Sequence, residues 1–216
     1  MNPLATVFVG CVAAAVSYAA TPLAGRLAGV LSMEDRPSAR KVHGRVIPYL
    51  GGLAILAGWA VAFATADAFK ESAVLLAGMA ILLVVGFLDD RHNLSEKLRL
   101  GIQVGVAVMA FGGGIRMSPL DNVVGVQSDV VDLAITVLWL VGMTNAFNFM
   151  DNMDGLAAGA GGIAAVALGI LGIVFGQQLV ALLGFGLGGA CFGFLRHNFH
   201  PARIFMGDTG SLPLGF

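Results

Sequence analysis

Charged residues are scarce in this 216-residue sequence: Asp, Glu, Lys and Arg together make up 12% of it. Soluble domains carry about 25% charged residues. Hydrophobic residues reach 57% and the mean hydropathy is +0.87, which excludes a water-soluble globular domain. The formal net charge of −1 offers no basic excess to nucleic acid, so we expect no nucleic-acid partner. Cys11 and Cys191 both lie in apolar runs, which favours packed core residues over a disulfide or a metal pair.

The uncharged runs are long enough to cross a bilayer, which takes about 20 helical residues. They predict seven spans, at residues 1–25, 46–66, 72–88, 100–115, 133–150 and, as a pair, within the 41 uncharged residues 155–195. Gly176-Gln177-Gln178 is the polar break that predicts the turn within that pair. Residues 209–216 resemble the start of an eighth span. The predicted fold class is therefore all-α, a polytopic membrane helix bundle, and residues 1–216 are expected to form one integral-membrane domain.

Lys and Arg are distributed unequally between the loops on the two sides of the membrane. Ten of the twelve lie after spans one, three, five and seven, and only Lys70 and Arg116 lie on the opposite side. Because cytoplasmic loops are enriched in Lys and Arg, this predicts an N-terminus outside and those four loops in the cytoplasm. All four histidines and eight of the thirteen acidic residues lie on the same side. The predicted location is the plasma (inner) membrane, with a cytoplasmic active face.

The loop after the first span is the first of four polar segments on that side. It reads DRPSARKVH at residues 35–43, followed by PYLGG at residues 48–52. One interpretation is a basic loop that only sets the topology. The other is an ordered loop, because prolines and paired glycines favour a defined backbone that approaches its neighbours closely. In an ordered loop, Arg40 and Lys41 are suited to contact a phosphate.

Two adjacent carboxylates, Asp89 and Asp90, follow the third span. Carboxylates near lipid are costly and usually functional. As caps of their own helix they would gain nothing, because a helix C-terminus carries partial negative charge. A divalent cation or a basic partner would relieve their mutual repulsion, and Lys97 and Arg99 follow shortly after in the sequence.

The segment NAFNFMDNMDG at residues 145–155 combines amides with carboxylates and contains no Lys or Arg. Residues three apart lie on one helix face, so Asn148, Asp151 and Asp154 are predicted to converge. Oxygen ligands of this kind suit Mg²⁺ or Mn²⁺ better than zinc. A purely topological acidic loop is the less favoured alternative, because a loop without basic residues does not help to orient the chain.

The fourth segment, residues 196–211, reads RHNFHPARIFMGDTGS. Asp208 lies between glycines at the mouth of an apolar segment, a position for metal binding or for a re-entrant backbone. His197 and His200 are weak indications of a zinc site, since no third ligand has the right spacing. Together the four segments offer carboxylates, an amide oxygen and cations at one membrane surface, which favours Mg²⁺-assisted chemistry on phosphates.

These segments, in this order, resemble the motifs of the polyprenyl-phosphate N-acetylhexosamine-1-phosphate transferase family, the glycosyltransferase 4 family. The chain looks most like undecaprenyl-phosphate GlcNAc-1-phosphate transferases and is related to phospho-N-acetylmuramoyl-pentapeptide transferase. The resemblance implies an enzyme that transfers a sugar-1-phosphate, GlcNAc-1-phosphate by preference, from a UDP-sugar to polyprenyl (undecaprenyl) phosphate and releases UMP. That step initiates synthesis of cell-envelope glycans such as lipopolysaccharide or teichoic acid. The cofactor implied is Mg²⁺, with Mn²⁺ as the alternative, and the partners are both substrates, the lipid bilayer and a second copy in a homodimer.

The resemblance also implies roles by motif position. Catalytic roles fall to Asp89, Asp90, Asp151 and Asp154, of which the first two activate the lipid phosphate. Asn148 and Asp208 match the Mg²⁺ ligands. Substrate contacts are expected from Lys41, His43, Lys97, Arg99, Asn145 and Asn198. Direct attack of the lipid phosphate on the β-phosphorus and a covalent intermediate on an Asp both fit these residues, and direct attack is favoured.

Two other functions compete with the transferase. A transporter or ion-binding protein would need ionisable groups at mid-span, whereas the predicted spans are uncharged and the acids lie at their ends. An inactive membrane scaffold is the second alternative. Family members continue past the position of Phe216 through further spans and a loop with a His-containing motif, so we expect this domain to lack its C-terminal part.

Overall fold

Helices dominate the protein. The computed structural model describes residues 3–35, 45–66, 72–119, 125 and 128–216. In chain order the helices are α1 Pro3–Val30, α2 Gly51–Ala66, α3 Ala73–His92, α4 Glu96–Gly112, α5 Asp129–Met150, α6 Leu156–Val174, α7 Gln178–Asn198 and α8 Asp208–Gly215. Two short strands, β1 Glu34–Asp35 and β2 Ile47–Pro48, pair antiparallel between α1 and α2.

Among the described helices, α1, α3, α5, α6 and α7 are long and apolar enough to cross a membrane. The helix α2 is apolar but shorter, and α4 has 17 residues. The predicted helical, polytopic membrane protein is confirmed in this form, and the count of seven spans stays a prediction. The small β1–β2 hairpin was not predicted, because strands of two residues are too short to show an alternating pattern.

The turn predicted within residues 155–195 is confirmed. The helix α6 ends at Val174 and α7 begins at Gln178. Between them Gly176 adopts a left-handed backbone conformation, with φ +69°, which glycine takes at little cost. The long uncharged stretch is therefore two helices joined by a short polar turn.

Glycines in α7 allow close contacts with two neighbouring helices. A Cβ added at Gly184 would lie 2.6 Å from the backbone nitrogen of Gly169 in α6. A Cβ at Gly189 would lie 2.0 Å from the carbonyl oxygen of Gly10 in α1. These glycines therefore act as packing residues, since small residues let membrane helices approach closely.

The helices form two groups that meet at α8. The first group contains α1, α2, α6 and α7, and the second contains α3, α4 and α5. The short helix α8 packs mainly on α3 and α5 and also contacts α2 and α6. Buried side chains such as Trp59 and Phe194 fill the first group, and Leu82 and Leu212 lie in the second.

The chain entering α8 is hydrogen-bonded to the chain entering α2. The N–H of Phe205 donates to the carbonyl oxygen of Pro48 at 2.9 Å, and the N–H of Gly51 donates to the carbonyl oxygen of Phe205 at 2.9 Å. A Cβ at Gly52 would lie 2.1 Å from the Cα of Gly210. The paired glycines thus give the close approach that the sequence predicts, and they fix where α8 begins.

Candidate functional site

The polar segments that follow α1, α5 and α7 meet the end of α3 around one cavity of about 950 Å³. Carboxylates are prominent among its described lining residues: Asp35, Asp90, Asp151, Asp154 and Asp208. The cavity therefore attracts cations, and the sequence prediction that these segments share one face agrees with their placement.

Asp90 binds the N-terminus of α8. Its Oδ1 accepts a hydrogen bond from the N–H of Asp208 at 2.9 Å, and its Oδ2 accepts from the N–H and the hydroxyl of Thr209 at 2.9 and 2.7 Å. An acidic group at a helix N-terminus satisfies N–H groups that lack a partner within the helix and interacts favourably with the helix dipole. The cap that Asp90 gives to α8 was not predicted, because the sequence pattern relates Asp90 only to its own helix, α3.

Arg99 of α4 joins two of the carboxylates. Its Nη1 donates to Oδ2 of Asp89 and, at 2.9 Å, to Oδ2 of Asp208. The other oxygen of Asp89 accepts from the N–H of Leu94 at 2.7 Å. Arg99 is thus a basic partner for the aspartate pair. Arg99 itself is not among the described residues that line the cavity.

Asn148 and Asp208, the expected metal ligands, contact each other. Asn148 Nδ2 lies 2.6 Å from Asp208 Oδ1 and 3.0 Å from the hydroxyl oxygen of Ser211. Rotating the amide by half a turn exchanges its nitrogen and oxygen and presents an oxygen beside the Asp208 carboxylate. One amide and one carboxylate oxygen fit Mg²⁺, which proteins bind through one or two carboxylates with waters and substrate phosphates.

The remaining ligands of such an ion would have to come from elsewhere. Within the described part of the chain, no three His, Cys, Asp or Glu side chains are grouped closely enough to hold a metal ion.

Asp151 lies on the cavity wall directly after α5. Its Oδ2 accepts a hydrogen bond from the N–H of Gly207 at 3.0 Å. Burial raises the pKa of the Asp151 carboxyl well above its usual range, and the charges of Asp208, Asp90 and Asp154 add to the rise. A carboxyl whose pKa is raised in this way is a stronger base than an ordinary aspartate and is suited to general acid–base chemistry.

Asp208 has a similar environment at the first position of α8. Burial raises the pKa of the Asp208 carboxyl to about 7, and the hydrogen bond with Asp89 and the charge of Asp90 contribute to the rise. A bound cation would favour the ionised form of the same carboxyl. A cation bound at this carboxyl would therefore compete with its proton.

Asn198 connects the end of α7 to two other backbone segments. It is 2% exposed. Its Oδ1 accepts from the N–H of Gly155 at 3.0 Å and its Nδ2 donates to the carbonyl oxygen of Ile204 at 2.9 Å. Both ends of the amide are thus engaged by the backbone, so the structure places this expected substrate contact in a supporting position.

Asp154 holds the segment that follows α7. Its Oδ2 accepts from the N–H of Ala202 at 3.0 Å and lies 2.9 Å from Nδ1 of His200. All three residues line the cavity. The two loops that carry Asp151 and Asp208 are therefore tied together at this point.

Two other predicted substrate contacts, Asn145 and Lys97, are not among the described lining residues of the cavity. Asn145 donates from Nδ2 to Gln103 Oε1 at 2.6 Å, in the contact between α5 and α4. Lys97 is exposed on α4 and is not among the described lining residues of the cavity. Lys41 and His43 lie outside the described residues.

Several lining residues were not singled out from the sequence as site residues. Tyr49 donates from its hydroxyl to Asp35 Oδ1 at 3.3 Å, and both line the cavity together with Arg45. His200 was considered only as a weak zinc ligand. Each of these residues lies inside or beside one of the four polar segments, so the segments were the only feature of the sequence that indicated them. The residues line the cavity because the β1–β2 hairpin and the loop after α7 place them there.

Comparison with known proteins identifies a family. Residues 72–216 match the sequence profile of glycosyl transferase family 4. Over 203 residues the chain is 39% identical to a probable undecaprenyl-phosphate N-acetylglucosaminyl 1-phosphate transferase of Bacillus subtilis (strain 168). The aligned region covers 91% of this chain and 56% of that protein. It is 36% identical over 231 residues to a decaprenyl-phosphate N-acetylglucosaminephosphotransferase of Mycobacterium leprae (strain TN), with 96% and 58% covered.

A third relative is the undecaprenyl-phosphate alpha-N-acetylglucosaminyl 1-phosphate transferase of Yersinia pestis. It is 34% identical over 207 residues, with 90% of this chain and 56% of the relative covered. The chain thus spans a little more than half the length of these curated relatives. The profile match and the sequence identities show that the chain belongs to glycosyl transferase family 4.

Proposed function

We propose that this protein transfers a sugar-1-phosphate, GlcNAc-1-phosphate by preference, from a UDP-sugar to polyprenyl phosphate and releases UMP. The observation that carries the proposal is the contact between Asn148 and Asp208 on the wall of a cavity with five carboxylates. Relatives of the chain bear the names of polyprenyl-phosphate GlcNAc-1-phosphate transferases, which supports the choice of substrates. The product would initiate a cell-envelope glycan.

The cofactor in this proposal is Mg²⁺. The Asn148 amide oxygen and the Asp208 carboxylate would hold it. When bound, it neutralises charge on phosphate oxygens, so that an anionic acceptor and an anionic donor can approach each other. Mn²⁺ prefers similar oxygen ligands and is the alternative.

The protein's own residues position the reactants and handle a proton. Asp90 holds the N-terminus of α8 and so sets the place of Asp208, while Arg99 balances the charge of Asp89 and Asp208. The resemblance gives activation of the lipid phosphate to Asp89 and Asp90, but Arg99 and the start of α8 engage these carboxylates. We therefore assign to Asp151 the role of accepting the proton of the lipid phosphate, because that carboxyl lines the cavity and its pKa is raised.

The reaction proceeds by direct attack. An oxygen of the polyprenyl phosphate forms a bond to the β-phosphorus of the UDP-sugar. The bond from that phosphorus to the oxygen bridging the two phosphates breaks, and UMP leaves with the electron pair. A phosphate oxygen needs little activation once its charge repulsion with the donor is reduced, which favours this route over a covalent intermediate.

We also propose the membrane arrangement that the sequence predicts. The helices α2 and α4 join the five longer ones to give seven spans, the N-terminus lies outside, and the cavity opens at the cytoplasmic face of the plasma membrane. The concentration of Lys and Arg in the loops after the odd-numbered spans supports this orientation. Lys41 and His43, in the first of these loops, would contact the substrates, and a homodimer is the expected assembly.

A transfer assay tests the proposal. Membranes that contain the protein are incubated with UDP-GlcNAc labelled in the sugar, undecaprenyl phosphate and Mg²⁺. We expect label in the lipid fraction and an equal amount of UMP, both lost on chelation of the metal and restored by added Mg²⁺. Asp208→Asn should abolish the product. Asp129→Asn is the matched control, because this side chain is 84% exposed at the beginning of α5 and should retain full transfer. Absence of lipid-linked label with every UDP-sugar supplied would contradict the proposal.

A further inference from the structure

The imidazole of His200 is held at the cavity by a carboxylate expected to be catalytic. Its Nδ1 lies 2.9 Å from Oδ2 of Asp154, and the His200 side chain is 79% exposed. Because an ionised carboxylate only accepts hydrogen bonds, Nδ1 carries a proton. This pairing orients the ring and leaves Nε2, at the opposite edge, for another partner.

Asp154 is itself fixed in place. The oxygen that faces His200 also accepts the N–H of Ala202 at 3.0 Å. The neighbouring Gly155 is held through its N–H by the buried Asn198 at 3.0 Å. The carboxylate is therefore anchored to both loops, and it in turn anchors the ring of His200.

Within its described lining, the cavity has many acceptors and few cationic donors. The described lining contains five carboxylates and two side chains able to carry positive charge, Arg45 and His200. A nucleotide diphosphate is an anion, and proteins bind such groups through charge-assisted hydrogen bonds. Both ring nitrogens of an imidazolium donate hydrogen bonds, so a ring paired with Asp154 through Nδ1 can supply one from Nε2.

We propose that His200 contacts a phosphate oxygen of the nucleotide donor through Nε2, and that Asp154 is a positioning residue that acts through His200. The inference rests on the proposed function, since it needs a UDP-sugar in the cavity. It changes what is expected of Asp154. Loss of its charge should weaken donor binding while leaving the chemical step largely intact.

A double-mutant cycle tests this proposal. The variants are His200→Gln, Asp154→Asn and their combination, and each is measured for transfer kinetics and for UMP binding by calorimetry with Mg²⁺ present. Asp154→Asn keeps an acceptor for the N–H of Ala202 and removes the charge opposite His200. The control is His92→Gln, since His92 is exposed at the end of α3 and is not among the described lining residues.

We expect each single variant to raise KM for the UDP-sugar and Kd for UMP roughly 10-fold, as loss of one charge-assisted hydrogen bond does. The value of kcat should stay within about twofold, and the double variant should bind no more weakly than the weaker single variant. His92→Gln should match the wild type in all three measurements.

Three results overturn the inference. The first is unchanged UMP binding in His200→Gln. The second is a further loss of binding when Asp154→Asn is added to His200→Gln, and the third is a loss of kcat in Asp154→Asn. In the second and third cases Asp154 would act independently of the ring. A wild-type protein that neither binds UMP nor transfers the sugar would instead refute the proposed function, and the inference with it.

Discussion

The carboxylate of Asp90, at the end of α3, accepts a hydrogen bond from the N–H of Asp208, 118 residues later at the start of α8. Thr209 adds two more hydrogen bonds to the same carboxylate. Gly207, which precedes α8, has no side chain to cap the helix. One helix end therefore supplies the anion that the start of another helix requires, and Asp90 contributes to the fold as well as to the cavity.

Replacing Asp90 by Ala should release the first turn of α8. Loss of a helix cap costs about 0.5–2 kcal/mol, and the displaced turn would carry Asp208 with it. We expect a lower Tm in detergent together with a loss of transfer. Asp90→Asn keeps one acceptor oxygen and should lose less stability. An Asp90→Ala protein with the wild-type Tm would show that α8 does not depend on this cap.

A second substitution tests the same contact from the other side. A Cβ at Gly86 of α3 would lie 2.2 Å from the carbonyl oxygen of Asp208. Because that atom is backbone, no side-chain rotation relieves the clash, and Gly86→Ala should cost about 1–3 kcal/mol as overpacking does. Thermal unfolding and transfer kinetics measure the two consequences, and both Tm and kcat should fall.

Gly105→Ala in α4 is the matched control for Gly86→Ala. A Cβ there would meet nothing within 4 Å, so its stability should stay within about 0.5 kcal/mol of the wild type. Equal losses of Tm and kcat in the two variants would mean that replacing any helical glycine has this effect. The contact between Gly86 and Asp208 would then not be the cause.

The helices were largely predictable because the thickness of a bilayer sets a length that uncharged runs must satisfy. The turn at Gly176 followed from the same reasoning. The helix ends were less predictable: α3 continues to His92 and α4 begins at Glu96, whereas the uncharged runs end at residue 88 and begin at residue 100. Charged residues extend a helix beyond the apolar stretch as readily as they end it.

The composition of the site was predictable from the four polar segments, but the partner of each side chain was not. Asp90 was recognised as unusual, yet its partner lies in a segment more than a hundred residues away. Asn198 was expected to contact substrate, and the structure gives both ends of its amide to the backbone. Such pairings depend on how the loops pack, and spacing along the chain carries no information about them.

Metal binding should depend on both Asn148 and Asp208. The paramagnetic ion Mn²⁺ allows binding to be followed by electron paramagnetic resonance in the presence of UDP-GlcNAc. We expect Asn148→Leu to weaken Mn²⁺ binding roughly 10-fold or more, within the range of lost ligand or supporting contacts. Asn148→Asp should keep binding, because it retains an oxygen at the same place. Asp129→Asn serves as the control. Mn²⁺ binding by Asn148→Leu as tight as that of the wild type would show that Asn148 is not a metal ligand.

The acidity of Asp208 predicts how stability changes with pH. Its pKa is raised from 3.8 to about 7 in the folded chain, mainly by burial. Between these values the folded chain holds a proton that the unfolded chain has released, so stability should fall as pH rises through that window. The Tm of the metal-free protein in detergent should therefore be lower at about pH 8 than at about pH 5.

Asp208→Asn should reduce that difference in Tm. Asp151, whose pKa is also raised, should account for part of the difference that remains in this variant. Mg²⁺ should restore Tm more at the higher pH, because the cation competes with the proton for the carboxylate. If Tm decreases by the same amount from about pH 5 to about pH 8 in the wild type and in Asp208→Asn, the group that titrates is not Asp208.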